Sequence, residues 1–141
     1  MLFRSKGMDR KEDYVGYREL GVSPDGRLVC WTAANRPEVL KVSTSRGGIL
    51  LYSLGNSSYH GPGGVSRACF SSDGEYIATS SWEYSMCLWR LADRKCVAKK
   101  GRKPVDGPGI NVFSPDGNVL VTGMLDGTVS ILRLSDIQED D

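Results

Sequence analysis

The chain has 141 residues, of which 40% are hydrophobic and 25% charged, and its formal net charge is +1. This is the composition of one ordinary globular domain, and it excludes a general electrostatic attraction to nucleic acid or to acidic membranes. No apolar run reaches the ~18 residues that a membrane helix needs. No signal-peptide stretch is present near the start either, so we expect a cytoplasmic protein with no membrane partner.

Positions 1–13 are rich in charged residues and have no periodic pattern, and we expect a flexible arm there. The run Met1-Leu2-Phe3-Arg4-Ser5 is what a common sequencing-adapter end would encode. This raises the hypothesis that residues 1–5 are a scar and that the natural protein continues upstream. The other end, 135–141, is predicted to be an acidic tail.

The first of three related segments is expected over 14–61. Its predicted strands are Tyr17 to Val22, Leu28 to Thr32 and Gly48 to Leu54, and Ser23-Pro24-Asp25-Gly26 forms a turn because proline presets φ and glycine accepts positive φ. The distance from Gly26 to Leu54 is longer than the matching distance in the later segments. We therefore expect an insertion near 35–46, between the second and third strands.

The second segment, 62–106, repeats this order. Its predicted strands are Val65 to Phe70, Tyr76 to Ser81, Met86 to Leu91 and Cys96 to Lys99. The fourth strand is polar, as suits an outer edge. The third segment, 107–134, has strands at Ile110 to Phe113, Asn118 to Thr122 and Thr128 to Leu134, and lacks an outer strand. Three copies of such a unit indicate a stacked or circular array, since one sheet cannot bury both of its apolar faces alone.

Several sequence features carry the closer resemblance. The third segment has Phe113-Ser114-Pro115-Asp116-Gly117, then Leu120-Val121-Thr122-Gly123, Asp126 and Thr128-Val129. The second keeps Leu88-Trp89 and has Glu83 at the position of Asp126, and the first is read with Tyr52 at the position of Trp89. Over about residues 16–134 these features resemble the WD40 repeat of β-propellers.

The resemblance implies an all-β, partial β-propeller of about three antiparallel four-stranded blades. It implies structural roles for Gly26, Gly74 and Gly117 in the turns, for Asp126 and Glu83 as turn acceptors, and for Trp89 and Tyr52 as aromatic anchors. Because ring propellers have four to eight blades, we expect the C-terminal part of a longer propeller. The alternative is that copies of the chain complete a ring, and the open blade faces favour such self-association.

Partners of WD40 propellers usually bind the loops between strands two and three and between blades. Carried over to this chain, the candidate partner-binding residues are Trp82, Tyr84, Arg36, Lys41, Tyr59, Arg102 and Lys103. Trp82 and Tyr84 flank a turn where folding needs no aromatic residue, although either one packed on a neighbouring blade would serve a structural role instead. A surface excursion or an extended hairpin is the structural alternative for the segment that holds Arg36 and Lys41.

No residue of the chain is assigned to catalysis, to a cofactor or to a metal. The single histidine, His60, lies in a turn-rich connector. Cys30, Cys69, Cys87 and Cys96 have no zinc spacing, and we interpret them as buried or half-buried thiols, with a disulfide or metal site as the alternative.

We therefore predict a non-enzymatic scaffold that presents loops to a partner protein or peptide. One alternative is the propeller portion of a larger enzyme or signalling protein. Another is binding of nucleic acid or an acidic partner by the basic cluster of Arg94, Lys95, Lys99, Lys100, Arg102 and Lys103. The absence of interleaved aromatic residues disfavours nucleic acid, and a solvated edge strand also explains the cluster.

Overall fold

A computed structural model describes residues 17–33, 35–55, 64–81, 86–100, 108–124 and 127–137 of the chain. These residues form antiparallel strands and one short 3₁₀ helix, Leu134–Asp136. The predicted all-β fold with three successive antiparallel blades is confirmed. The boundaries drawn for the arm and the tail fall mostly outside the described residues and stay predictions.

The strands form three separate sheets. The first sheet contains β1 (Tyr17–Val22), β2 (Leu28–Ala33), β3 (Arg36–Thr44) and β4 (Leu50–Leu54), in the order β1-β2-β3-β4. The second contains β5 (Arg67–Phe70), β6 (Tyr76–Ser80), β7 (Met86–Arg90) and β8 (Lys95–Lys100), in the order β5-β6-β7-β8. The third has β9 (Pro108–Phe113), β10 (Val119–Met124) and β11 (Val129–Arg133), with β10 in the centre.

The insertion predicted near 35–46 is wrong. Arg36–Thr44 is the third strand of the first sheet and pairs with β2 from Leu28 opposite Thr44 to Ala33 opposite Arg36. Leu50–Leu54 is the fourth, outer strand. The prediction aligned Leu54, which ends a fourth strand, with Leu91, which follows a third strand.

One turn design joins the first two strands of every sheet. In the first sheet the Ser23 hydroxyl donates to Asp25 Oδ1 at 2.6 Å, and Ser23 Oγ accepts from the backbone N–H of Leu28 at 2.9 Å. The same contacts recur from Ser71 to Asp73 and from Ser114 to Asp116. The glycines that follow, Gly26, Gly74 and Gly117, have φ of 73°, 76° and 76°, where a side chain would be strained.

The sheets stack face to face, with their first strands β1, β5 and β9 as neighbours. The core between the first and second sheets includes Leu40, Val42, Ile77 and Trp89, and the core between the second and third includes Leu88 and Leu120. Gly21 permits the close approach of β1 to β5, because a Cβ there would lie 3.2 Å from the Ala68 carbonyl oxygen. Among the described residues there is no helix with the length and hydropathy that crossing a bilayer requires.

Candidate partner-binding surface

The blades have two ends of different construction. At one end, which we call the turn end, the turns at 23–27, 71–75 and 114–118 meet the connections that follow β3, β7 and β11. Backbone hydrogen bonds connect the turns to these connections. The Leu91 N–H donates to the Glu75 carbonyl at 3.0 Å, and the Leu134 N–H donates to the Asn118 carbonyl at 2.8 Å. The connections β2–β3, β6–β7 and β10–β11 leave from the opposite end, which we call the loop end, because the strands are antiparallel.

The turn end is held together across blades as well as within them. Ser72 donates its hydroxyl to the Ser114 carbonyl of the next blade at 3.2 Å. A Cβ on Gly117 would lie 3.2 Å from Asp73 Oδ2, so the two turns are in close contact. Hydrogen bonds from Ser23 and Ser114 hold the pKa of Asp25 and Asp116 below the ordinary value, and both carboxylates are fully exposed. Internal bonding explains these polar residues without a ligand.

Arg36 is the one predicted partner-binding residue that the described structure places at the loop end. It is the first residue of β3, lies opposite Ala33 across the β2–β3 connection, and is exposed. The residue belongs to a strand and not to an inserted loop, which fixes the position of its backbone. Trp82, Tyr84, Tyr59, Arg102 and Lys103 lie outside the described residues, so their binding roles stay predictions. The turn roles of Glu83 and Asp126 stay predictions for the same reason.

Lys41 does not lie on a loop, contrary to the prediction. It is half-buried within β3, and its ammonium group stands 5.1 Å from the centre of the Trp31 ring. A cation over an aromatic face is attracted by the ring quadrupole. Lys41 therefore covers Trp31 on the side of the first sheet that faces away from the second sheet, and this contact is structural.

Trp89 anchors its sheet through the indole N–H. It is the next-to-last residue of β7, only 4% of its surface is exposed, and its Nε1–H donates to Thr79 Oγ1 on β6 at 3.0 Å. The first sheet contains the same bond with the two residues exchanged. There the indole belongs to Trp31 on β2, and its Nε1–H donates to Ser43 Oγ on β3 at 2.9 Å.

The registers show that this exchange is exact in position. Trp89 lies opposite Ile77, and Ser43 lies opposite Val29, where Val29 and Ile77 each come four residues after the turn aspartate. Ser43 thus holds the position of Trp89, and Trp31 holds the position of Thr79. In the third sheet Leu132 lies opposite Leu120 at the tryptophan position, and Thr122 donates instead to Asn111 Oδ1 at 2.8 Å.

Tyr52 was predicted to be the aromatic anchor of the third strand, and this is wrong because it lies on the outer strand β4. Its half-buried ring packs against the core between the first two sheets, and burial raises the pKa of its hydroxyl. The Arg94 guanidinium of the next blade lies 4.5 Å from the ring centre. Arg94 holds this place with φ of 61°, a left-handed conformation that only this non-glycine residue adopts among the described residues.

The face of the third sheet that points away from the second is apolar and open. Val112, Val129 and Ile131 are 57%, 61% and 62% exposed, and half-buried Val121 lies between them. The equivalent face of the second sheet, with Ala78, Met86 and Leu88, is buried against the third sheet. The open face of the third sheet therefore has apolar residues at the same positions as the face of the second sheet that packs against a neighbouring blade.

The comparisons with known proteins agree with this architecture. The sequence profile of the WD domain, G-beta repeat, matches residues 48–90 and 105–132, about half of the chain. The chain belongs to the WD40 repeat family. The first match joins β4 to β5, β6 and β7, so the sequence repeat is offset from the sheet by one strand.

Relatives of the chain are much longer proteins. It is 26% identical over 122 residues to the Periodic tryptophan protein 2 homolog of Schizosaccharomyces pombe, covering 86% of this chain and 14% of that protein. It is 27% identical over 125 residues to Periodic tryptophan protein 2 of Saccharomyces cerevisiae, covering 89% and 13%. It is 34% identical over 71 residues to the WD repeat, SAM and U-box domain-containing protein 1 of Danio rerio, covering 48% and 14%. The family and these WD-repeat relatives support a protein-interaction scaffold in general.

Proposed function

We propose that this chain presents the loop end of its stacked blades to a partner protein or peptide. One observation carries the proposal: the three sheets pack in the same orientation through β1, β5 and β9, so their second-to-third-strand connections leave from one end. A rigid scaffold that gathers several loops at one end loses little conformational entropy on binding. The turn end, by contrast, uses its polar groups on internal hydrogen bonds.

The residues proposed to make contact are Arg36, Trp82 and Tyr84, with Tyr59, Arg102 and Lys103 on the neighbouring connections. Arg36 is exposed and lies at the loop end of the first blade. Aromatic and arginine side chains dominate the binding energy of protein interfaces, and a central tryptophan removed from such an interface costs about 2 kcal/mol or more. Lys41 is not included, because it lies within β3 and its ammonium group packs over the Trp31 ring.

The test compares proteins that co-purify with the wild-type chain and with two variants, quantified by mass spectrometry. The loop-end variant carries Arg36→Glu and Trp82→Ala. The control is Arg27→Glu, an exposed arginine of the turn end. A partner of the loop end should be lost with the first variant and kept with the control. With the purified partner, Trp82→Ala alone should weaken the Kd by roughly 30-fold. Equal loss with both variants, or with neither, would show that the loop end is not the binding surface.

A second candidate is that the chain is the propeller portion of a larger multidomain protein. The Danio rerio relative is described as containing SAM and U-box domains beside its WD repeat, and the chain spans 14% of that relative. Extension of the cDNA in both directions from this sequence tests the proposal. An open reading frame that continues into a catalytic or signalling domain would support it, and stop codons in frame on both sides would refute it.

A further inference from the structure

The joint between the second and third blades changes from apolar to polar toward the loop end. Ala78 on β6 and Leu120 on β10 lie in the apolar core of this joint. Ser80 and Thr122 follow two residues later on the same strands, nearer the loop end, and are 0% and 2% exposed. Because alternate residues of a strand point to the same face, both side chains lie between the two sheets. Met86, opposite Ser80 on β7, belongs to the same core and supports this direction for Ser80.

Asn111 adds an amide to this part of the joint. It lies on β9, opposite Thr122, and the Thr122 hydroxyl donates to its Oδ1 at 2.8 Å. The backbone carbonyl of Asn111 accepts from the Cys69 thiol of the second sheet at 3.6 Å, and Cys69 lies opposite Ala78 on β6. Strands β6 and β9 are in contact. We call Ser80, Asn111 and Thr122 the polar layer.

Two buried atoms of the polar layer have no hydrogen-bond partner in the chain. They are the Ser80 hydroxyl oxygen and the Asn111 Nδ2, and no other buried side-chain nitrogen or oxygen of the described residues is unpaired. Nearly all buried polar groups of folded proteins bond to protein or to ordered water, because an unpaired group is strongly destabilising. Both unpaired atoms lie on contacting strands of one joint, which indicates a shared partner between the sheets.

The joint between the first and second blades provides an internal comparison. Ala68 holds the position of Asn111 there, since each comes five residues before the turn aspartate of its own blade. Ala68 packs in the apolar core of that joint. The packing of two blades therefore does not require an amide at this position. The bond from Thr122 accounts for the Asn111 Oδ1 and leaves the Nδ2 unexplained.

We propose that the polar layer binds one internal water molecule between the second and third blades. The Asn111 Nδ2–H donates to the water, and the water donates to the Thr122 hydroxyl oxygen, which can accept while it donates to Asn111. The Ser80 hydroxyl makes the third bond. Buried waters typically make about three hydrogen bonds to such groups. Because the three side chains are neutral and buried, an ion in their place would lack charge compensation, so water is the ligand that suits them.

The site lies at the base of the β6–β7 connection. Ser80 is the last residue of β6, so the bound water links the start of this connection to β9 of the next blade. The proposal concerns the joint between the blades and requires no partner protein. It is independent of the proposed function, and either can fail without the other.

A crystal structure of the wild-type chain, at a resolution that shows ordered water, tests the site directly. We expect a water peak within about 2.7–3.2 Å of both the Ser80 Oγ and the Asn111 Nδ2. A direct hydrogen bond between these two side chains would overturn the proposal, and so would the absence of a water peak between them.

Oxygen-17 magnetic relaxation dispersion tests the same site in solution, because it counts the waters that a protein holds for longer than its tumbling time. Ser80→Ala combined with Asn111→Leu makes the layer apolar, and apolar sites stay dry, so the count should fall by about one water per chain. Ser53→Ala, at an exposed serine of β4, is the control and should leave the count unchanged. Circular dichroism checks that both variants fold. Equal counts in the wild-type chain and the double variant would overturn the proposal.

Discussion

The hydrogen bond from the Trp89 indole to the Thr79 hydroxyl on the neighbouring strand should contribute measurably to the free energy of unfolding. Thr79→Val replaces the threonine by a side chain of the same shape but removes the hydroxyl that accepts from the Trp89 Nε1–H. This N–H group is buried. A buried donor left without a partner costs about 1–3 kcal/mol. The same substitution also removes the weaker bond from Thr79 to the Cys87 carbonyl at 3.4 Å, so we expect the upper half of this range.

A double-mutant cycle isolates the bond itself. Trp89→Phe removes the donor and keeps most of the buried aromatic area, so in its presence Thr79→Val no longer strands an N–H group. The two substitutions together should cost about 1 kcal/mol less than the sum of the single costs. The free energy of unfolding is measured by urea titration with far-UV circular dichroism, since Trp89 cannot report on its own removal. Additive costs would refute the claim that this bond stabilises the second sheet.

Four further predictions concern other parts of the chain. Trp31→Thr alone should lower the free energy of unfolding by about 3–5 kcal/mol, because it empties a large buried volume. Trp31→Thr combined with Ser43→Trp should recover part of this loss in urea titration, because it gives the first sheet the arrangement that Trp89 and Thr79 have in the second. Arg94→Gly should be about 1 kcal/mol more stable than Arg94→Ala, since both lose the contact with Tyr52 and only glycine accepts φ of 61° without strain; equal stabilities would argue against strain there. The depressed pKa of Asp116 contributes stability that is present above the unfolded value of 3.8 and is lost as the pH falls below it, so Asp116→Asn should flatten the acid limb of a melting-temperature profile. Ile131→Lys should lower the mass of any self-associated species in light scattering, whereas Glu75→Lys, at an exposed residue of the turn end, should not.

The sequence predicted the second and third blades closely, for physical reasons. Their turns carry serine, aspartate and glycine at fixed spacing, and each of these residues makes a local contact that depends on few distant groups. Strand β7 was identified correctly because Met86-Cys87-Leu88-Trp89 is a short, continuous apolar run, as is typical of a strand that is covered on both faces. The polar composition of β8 likewise agreed with its outer position.

The candidate site was harder to predict than the fold. The sequence placed Arg36 and Lys41 together on a loop, but nothing local distinguishes a loop from a polar strand at 36–44. Strand β3 is defined by its pairing with β2 and β4, which is a long-range property. The contact between Lys41 and Trp31 and that between Arg94 and Tyr52 also depend on how strands and blades meet. A single sequence has no direct signal for either contact.

The error in the first blade has one physical origin, which is the exchange of the tryptophan and its hydroxyl partner. A search for an aromatic residue near the end of the third strand finds Tyr52, because Ser43 occupies the true position and the indole has moved to Trp31 on β2. The match to the WD domain, G-beta repeat, likewise begins at residue 48 and leaves out β1, β2 and β3. The buried bond is nevertheless preserved, at 2.9 Å in the first blade and 3.0 Å in the second. The first two blades therefore share an indole and a hydroxyl that face each other across two strands, with the indole on either strand, whereas the third blade has Leu132 at the tryptophan position and a different bond from Thr122.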